Sequence, residues 1–268
     1  MKEIIEAIVL GIIQGLTEFL PVSSSGHLEI GKFFLGDDAL PNESLLMTVV
    51  LHFATALATI FVFRKDINQI LRGLVYEKGR GKDATFVGYI ILSMLPATIV
   101  GLLFEKQIEA LFNQNIILVC SMLIVTGILL LFTYKAKKRS GDLNKLGVVV
   151  IGISQAIAIL PGISRSGATI STALYLGINR TTAARFSFLM VVPLIFGKMA
   201  KDLISGNIVF ESHQFIPLLI GGISAFATGF LACRWMIKVV ERSKLSYFAY
   251  YCFLVGGIGL LLIYLNGY

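Results

Sequence analysis

The chain has 268 residues, 56% of them hydrophobic and 15% charged, with a mean hydropathy of +0.83, against about 45–50% apolar and about 25% charged in ordinary globular domains. That balance excludes a soluble domain, a disordered chain and a disulfide scaffold. The net charge of +7, from 23 Lys and Arg over 16 Asp and Glu, is gathered in short patches between long uncharged runs, the pattern of membrane topology and not of a nucleic-acid surface.

In chain order, the first apolar region, residues 4–34, is broken by "LPVSSSGH". Uncharged runs at 45–63, 84–104 and 110–134 follow, each near the length that crosses a bilayer. A second broken region, 146–179, is interrupted by "LPGISRSG". Three more spans come after it: 186–204, with Lys198, Lys201 and Asp202 near one end, then 212–233 and 245–265. Non-helical backbone at membrane depth survives only where protein or a water-filled cavity satisfies its polar groups. Both broken regions are therefore predicted to be re-entrant. The expected fold is all-α and polytopic, with six transmembrane helices plus two re-entrant helical hairpins in one integral membrane domain. Cys120, Cys233 and Cys252 sit inside apolar segments without metal-ligand spacing and read as packing or lipid-facing residues. Glu3 and Glu6 do not fit the start of a secretory signal.

The connections test this layout. Lys and Arg number six in 64–82, five in 135–145, two in 180–185 and four in 234–244, against none in 35–44 and one in 105–109. The positive-inside rule makes the first set cytoplasmic. Both termini are then outside, the first hairpin enters from outside, and the second enters from the cytoplasm. Hairpin plus three spans, occurring twice with opposite orientation, is an inverted-topology repeat, about 1–134 and about 146–268. Self-similarity agrees: at an offset of 141, Gly11, Gln14, Ser23, Ser25 and Gly26 fall on Gly152, Gln155, Ser164, Ser166 and Gly167. Such folds bring their broken helices together near the bilayer midplane with helix N-termini facing an anion, so the site is expected where the two tips meet.

The informative positions are those where the copies disagree: Glu18 against Ile159, Ser24 against Arg165, His27 against Ala168. Gln14 and Glu18, four apart, share a helix face and can present an amide and a carboxylate to a cation, a water or an imidazole. An ionisable group at this depth marks a functional site by default. Ser24 and His27, three apart, can stand over one turn, with His27 taking the proton of Ser24. Arg165 can hold two phosphate oxygens while staying charged. Ser164, Ser166, Thr169 and the backbone around Gly167 would complete an anion cradle, and Ser23 and Ser25 flank it from the first tip, although serines after a proline also serve as helix caps. His52, in an uncharged span, reads as a packed or interhelical hydrogen-bonding residue, and His213 as solvated.

The motifs "QGLTEFLPVSSSGH" at 14–27 and "PGISRSGAT" at 161–169, with the eight-segment layout, resemble the bacterial undecaprenyl-diphosphate phosphatase family, also called the bacitracin-resistance protein family. The resemblance implies removal of the terminal phosphate from a C55 isoprenyl diphosphate at the outer face of the plasma membrane. That reaction recycles the carrier lipid for cell-wall synthesis. It also implies dependence on a divalent cation, commonly Mg²⁺. The family's acidic motif is Glu or Gln, three residues, then Glu, here Gln14 and Glu18, so these are the tentative metal residues; with one carboxylate the cation is expected to ride mainly on the diphosphate. On this reading Arg165 clamps the diphosphate, Ser24 attacks, His27 acts as base and then acid, and Glu18 orients His27 or a water; attack by His27 itself is equally allowed. The expected partners are the prenyl diphosphate lipid and the bilayer, with no nucleic acid, and a homodimer stays open. The rival reading is a lipid-phosphate transporter or flippase, since inverted repeats with broken helices are also a transporter architecture.

Overall fold

The first broken region forms two helices, α1 Lys2–Phe19 and α2 Ser24–Leu35, separated by a four-residue turn. In this computed structural model, which describes residues 2–35, 41–76, 78–112, 115–136, 141–204, 214–242 and 244–266, every named element is helical. The remaining helices are α3 Pro41–Val62, α4 Arg64–Tyr76, α5 Lys82–Leu103, α6 Glu105–Phe112, α7 Ile116–Leu131, α8 Lys145–Ile157, α9 Arg165–Tyr175, α10 Arg180–Ile204, α11 Phe215–Glu241 and α12 Ser246–Asn266. Thus α8 and α9 are the second hairpin, broken where "LPGIS" interrupts the run.

The helices α5, α7, α10, α11 and α12 provide five segments long and apolar enough to cross a membrane. The sixth expected span is α3, which reaches that measure together with α4 across a bend of 73°. The bend is legible in composition: α3 is apolar to Val62, whereas α4 opens on Arg64, Lys65 and Asp66, charges that keep it from continuing through hydrocarbon. Two span ends differ from expectation. The 110–134 run begins its membrane helix at Ile116, because Asn115 accepts the Leu118 N–H at 3.1 Å and caps a new helix there. At the other end, α11 continues past residue 233 to Glu241, taking Arg234 and Lys238 into the helix.

Helices in lipid gain little from burying apolar surface against one another, so close approach at small residues holds them together. Along α1 the buried positions Ala7, Leu10, Gly11, Gln14, Gly15 and Glu18 form one stripe, and that stripe faces α11. A Cβ on Gly15 would fall 1.9 Å from Thr228 Oγ1 and 2.6 Å from the Ala225 carbonyl, and one on Gly11 would fall 2.4 Å from the Gly221 carbonyl. Among the described residues the pair α1 and α11 makes the most extensive helix contact, and its repeat counterpart, α8 with α5, ranks among the four largest. There Gly152 does what Gly11 does: its Cβ would lie 2.6 Å from the Ser93 carbonyl. Each hairpin is therefore wedged against a span of the opposite half. The third self-matching contact, α7 with α12, closes the arrangement, and Cys120, Cys233 and Cys252 are all buried, so they are packing residues.

Candidate active site

Each tip is built by one residue in the left-handed region of backbone space. At the first, Ser23 has φ +70°; at the second, Gly162 has φ +94°. Glycine tolerates that conformation and serine does so only under constraint. The constraint on Ser23 is visible: its Oγ accepts the Gly26 N–H at 3.3 Å and lies 3.3 Å from Ser25 Oγ, while its carbonyl accepts from His27 Nδ1 at 2.8 Å. The second tip repeats the cap, with Ser164 Oγ accepting the Gly167 N–H at 3.0 Å and lying 3.2 Å from Ser166 Oγ. Thr126 of α7 braces it further, donating to the Gly162 carbonyl and accepting from the Ser164 N–H, both at 3.0 Å.

The tips touch. Ser166 Oγ donates to the Leu20 carbonyl at 3.3 Å, and a Cβ on Gly26 would sit 3.2 Å from Gly162 Cα. Between them lies Glu18, whose side chain is 3% exposed. Its Oε2 accepts from Gln14 Nε2 at 2.9 Å and from Ser24 Oγ at 2.8 Å, while Oε1 accepts from the Arg165 guanidinium. The Arg165 side chain is one-quarter exposed, and its guanidinium fork keeps further N–H donors for a ligand. His52 of α3 completes the ring, with Nε2 3.8 Å from Glu18 Oε2. Because its Nδ1 lies 2.8 Å from the Thr48 carbonyl, which only accepts, Nδ1 carries the hydrogen and a neutral ring offers its Nε2 lone pair toward the site. A buried carboxylate without a partner is strongly unfavourable; here two elements from opposite halves neutralise each other.

Three of the expected residues, Glu18, Ser24 and Arg165, thus converge, with Gln14 behind them. Others do not serve as predicted. The expectation that His27 takes the proton of Ser24 is corrected: its Nδ1 donates to the Ser23 carbonyl, leaving Nε2 to accept from Tyr251 Oη at 2.9 Å, and the two rings stack at 5.6 Å. Rotation about the first turn of α2 sends position 27 toward α12 and position 24 toward α1. Thr169 is also corrected as a phosphate ligand. It is fully buried, and its hydroxyl is committed to the Arg165 carbonyl at 2.8 Å and to Ser187 Oγ at 2.6 Å. Ser23 and Ser164 are 2% exposed and act as caps, so their part in anion binding is indirect. Ser25 and Ser166 pair with them, and the Gly167 N–H is spent on the Ser164 cap. Sequence reasoning missed His52 at this site and Tyr251 beside it; for His52 the one available signal was an ionisable residue inside an otherwise uncharged span. His213 lies outside the described residues.

The donor set does not fit a resident divalent cation. Among the described residues no three His, Cys, Asp or Glu side chains come together as metal ligands. The one carboxylate is already paired with Arg165 and two neutral donors, which leaves Gln14 Oε1, buried and without a partner, and the His52 Nε2 lone pair as neutral acceptors. Mg²⁺ prefers several oxygens, with waters and phosphate supplying most.

Fold and site together define a polytopic membrane protein whose two broken hairpins enclose one acid, one guanidinium and one hydroxyl. The chain belongs to the family described as bacitracin resistance protein BacA, whose model matches residues 7–258. It is 60% identical over 262 residues to a Christiangramia forsetii protein named undecaprenyl-diphosphatase, covering 98% of this chain and 99% of that one. Proteins of the same name from Bacteroides fragilis and Methanobrevibacter smithii are 45% and 36% identical, over 94% and 95% of this chain and 95% of each relative.

Proposed function

We propose that this chain is an enzyme that hydrolyses undecaprenyl diphosphate to undecaprenyl phosphate and inorganic phosphate, the reaction named in its relatives. In a bacterial plasma membrane this recycles the cell-wall carrier lipid and underlies bacitracin resistance. The observation that carries the mechanism is the convergence of Ser24 Oγ and the Arg165 guanidinium on the two oxygens of one buried carboxylate, Glu18.

Hydroxyl, base and cation are thereby set in one geometry before substrate arrives, so little reorganisation remains for the chemical step. Arg165 turns its remaining N–H donors to the terminal phosphate and stabilises charge on its equatorial oxygens. Ser24 Oγ attacks that phosphorus as its proton passes to Glu18 Oε2, 2.8 Å away. The bond from phosphorus to the bridging oxygen breaks, and the lipid leaves as its monophosphate, which needs no proton. Water then attacks the phosphoserine. One of its protons is taken by His52 Nε2 and then released to solvent, the other stays on the phosphate, and Glu18 returns the first proton to Ser24 as inorganic phosphate departs. Mg²⁺ belongs to the substrate in this account, entering on the diphosphate. The positive-inside count supports both termini outside and a site open to the outer face.

Rapid quenching of purified protein in detergent with terminally labelled prenyl diphosphate tests this. Label on Ser24 with phosphate release in micelles, where no two sides exist for a transporter, supports the proposal. Turnover with no trapped label, together with a Ser24→Ala variant that still works, replaces it with direct attack by water.

A further inference from the structure

Away from the Glu18 cluster, α11 and α12 leave a half-open groove of about 710 Å³, within the roughly 300–1,000 Å³ usual for small-molecule sites. One wall is Trp235, Lys238, Val239 and Arg242, whose spacing of three, four and seven puts them on one face of α11. The facing wall, Lys244, Tyr247, Phe248 and Tyr251, repeats that spacing. Trp235 meets Phe248 edge-on at 6.0 Å and ties the walls together. Leu16, Leu20 and Val22 of the first hairpin line the inner part. The result is basic at one end, apolar along its length, and continuous with the first tip.

We propose that this groove binds a lipid phosphate monoester, with the headgroup among Lys238, Arg242 and Lys244 and the chain along Leu16, Leu20 and Phe248. All three cations are exposed, and none forms an ion pair among the described residues, so their charge is available to a ligand. A phosphate monoester carries about −1.5 to −2 charges and can be met by several cations at once. A soluble anion would use the basic end and leave the apolar length wet. The basic end belongs to the connection that the charge count makes cytoplasmic, where anionic headgroups attract such clusters. None of Gln14, Glu18, Ser24, His52 or Arg165 lines the groove, and Tyr251, which the groove shares with the tip's surroundings, is left untouched by the test, so the proposal does not depend on the hydrolytic reading.

Trp235 is the single tryptophan of the chain and reports directly. The full-length protein is reconstituted in phosphatidylcholine vesicles containing a minor fraction of brominated phosphatidic acid, brominated phosphatidylglycerol or brominated phosphatidylcholine. The expected result is strongest Trp235 quenching by phosphatidic acid. That preference falls about fivefold in Arg242→Gln and vanishes in Lys238→Gln/Arg242→Gln/Lys244→Gln, while turnover, the check on folding, stays at the wild-type rate. Equal quenching by the two anionic lipids would mean an undifferentiated basic surface and overturn the proposal. So would a preference that survives both variants, or one abolished by inorganic phosphate, which would make the groove a site for the free anion.

Discussion

At the first hairpin tip the residue in left-handed backbone is Ser23, and the position after it presents a hydroxyl to Glu18. At the second, the left-handed residue is Gly162, and the position after the Ser164 cap presents a guanidinium to the same carboxylate. The caps are equivalent in the two copies: Ser23 with Gly26 and Ser25, Ser164 with Gly167 and Ser166. Only what stands between the paired serines has diverged, Ser24 in one and Arg165 in the other. The comparison teaches that the repeat supplies a scaffold for aiming one side chain, twice, at one point between the halves, and that the two aimed side chains differ because Ser24 and Arg165 are one of the unmatched pairs, as Glu18 and Ile159 are another.

Breaking the aimed pair should do the most. Arg165→Ala removes the clamp and strands a buried carboxylate, so turnover should fall by about 10³-fold or more and folding stability by about 3–5 kcal/mol. Adding Glu18→Gln should restore thermal stability in detergent without restoring phosphate release. A double variant no more stable than Arg165→Ala alone would mean that the ion pair is not what holds the tips. Ser24→Ala should lower kcat by about 10²–10³-fold, the scale of losing one oriented catalytic group, while stability falls only by about the 1.5–3 kcal/mol of one hydrogen bond to a charged group; near-normal kcat would remove Ser24 from the chemistry.

The caps should behave alike and more mildly. Ser23→Ala and Ser164→Ala should each cost about 1 kcal/mol in denaturation experiments, the first somewhat more because alanine inherits the positive φ. A large loss of turnover from Ser164→Ala with intact stability would break the equivalence. The smallest effect is expected at Tyr251→Phe. It releases His27 Nε2 and should lower kcat a few-fold in the same direction as His27→Ala, about the loss of one hydrogen bond. An effect of His27→Ala with none from Tyr251→Phe would show that the tip is not steadied through α12.

Much of this was legible beforehand because membrane constraints are severe. The six spans follow from apolar length, and both hairpins follow from Pro, Ser and Gly at a depth where broken backbone needs protein around it. Self-similarity at an offset of 141 pointed to the tips, and the unmatched positions pointed to Glu18, Ser24 and Arg165. What could not be read was direction. Three residues along a helix put Ser24 and His27 near one another, but which neighbour each meets depends on α1 and α12 packing from either side. His52 escaped for a related reason: its helix contributes one residue to the site, and one residue makes no motif. Thr169 was misjudged because a threonine inside a helix can turn its hydroxyl back onto the preceding turn.

The glycine contact between α1 and α11 has a consequence for how the protein is made. Gly15 rests on Thr228, 213 residues further along the chain. At translation rates of about 5–20 residues per second, the surface that α1 packs against is synthesised some 10–40 seconds after α1 itself leaves the ribosome. The counter-charge, Arg165, emerges before α11 does, but until α11 follows, the stripe bearing Gln14 and Glu18 faces lipid or the insertion machinery without its seat. The hairpin is written first and seated late, so a chain truncated before α11 should leave its amino-terminal helices exposed to quality-control proteases.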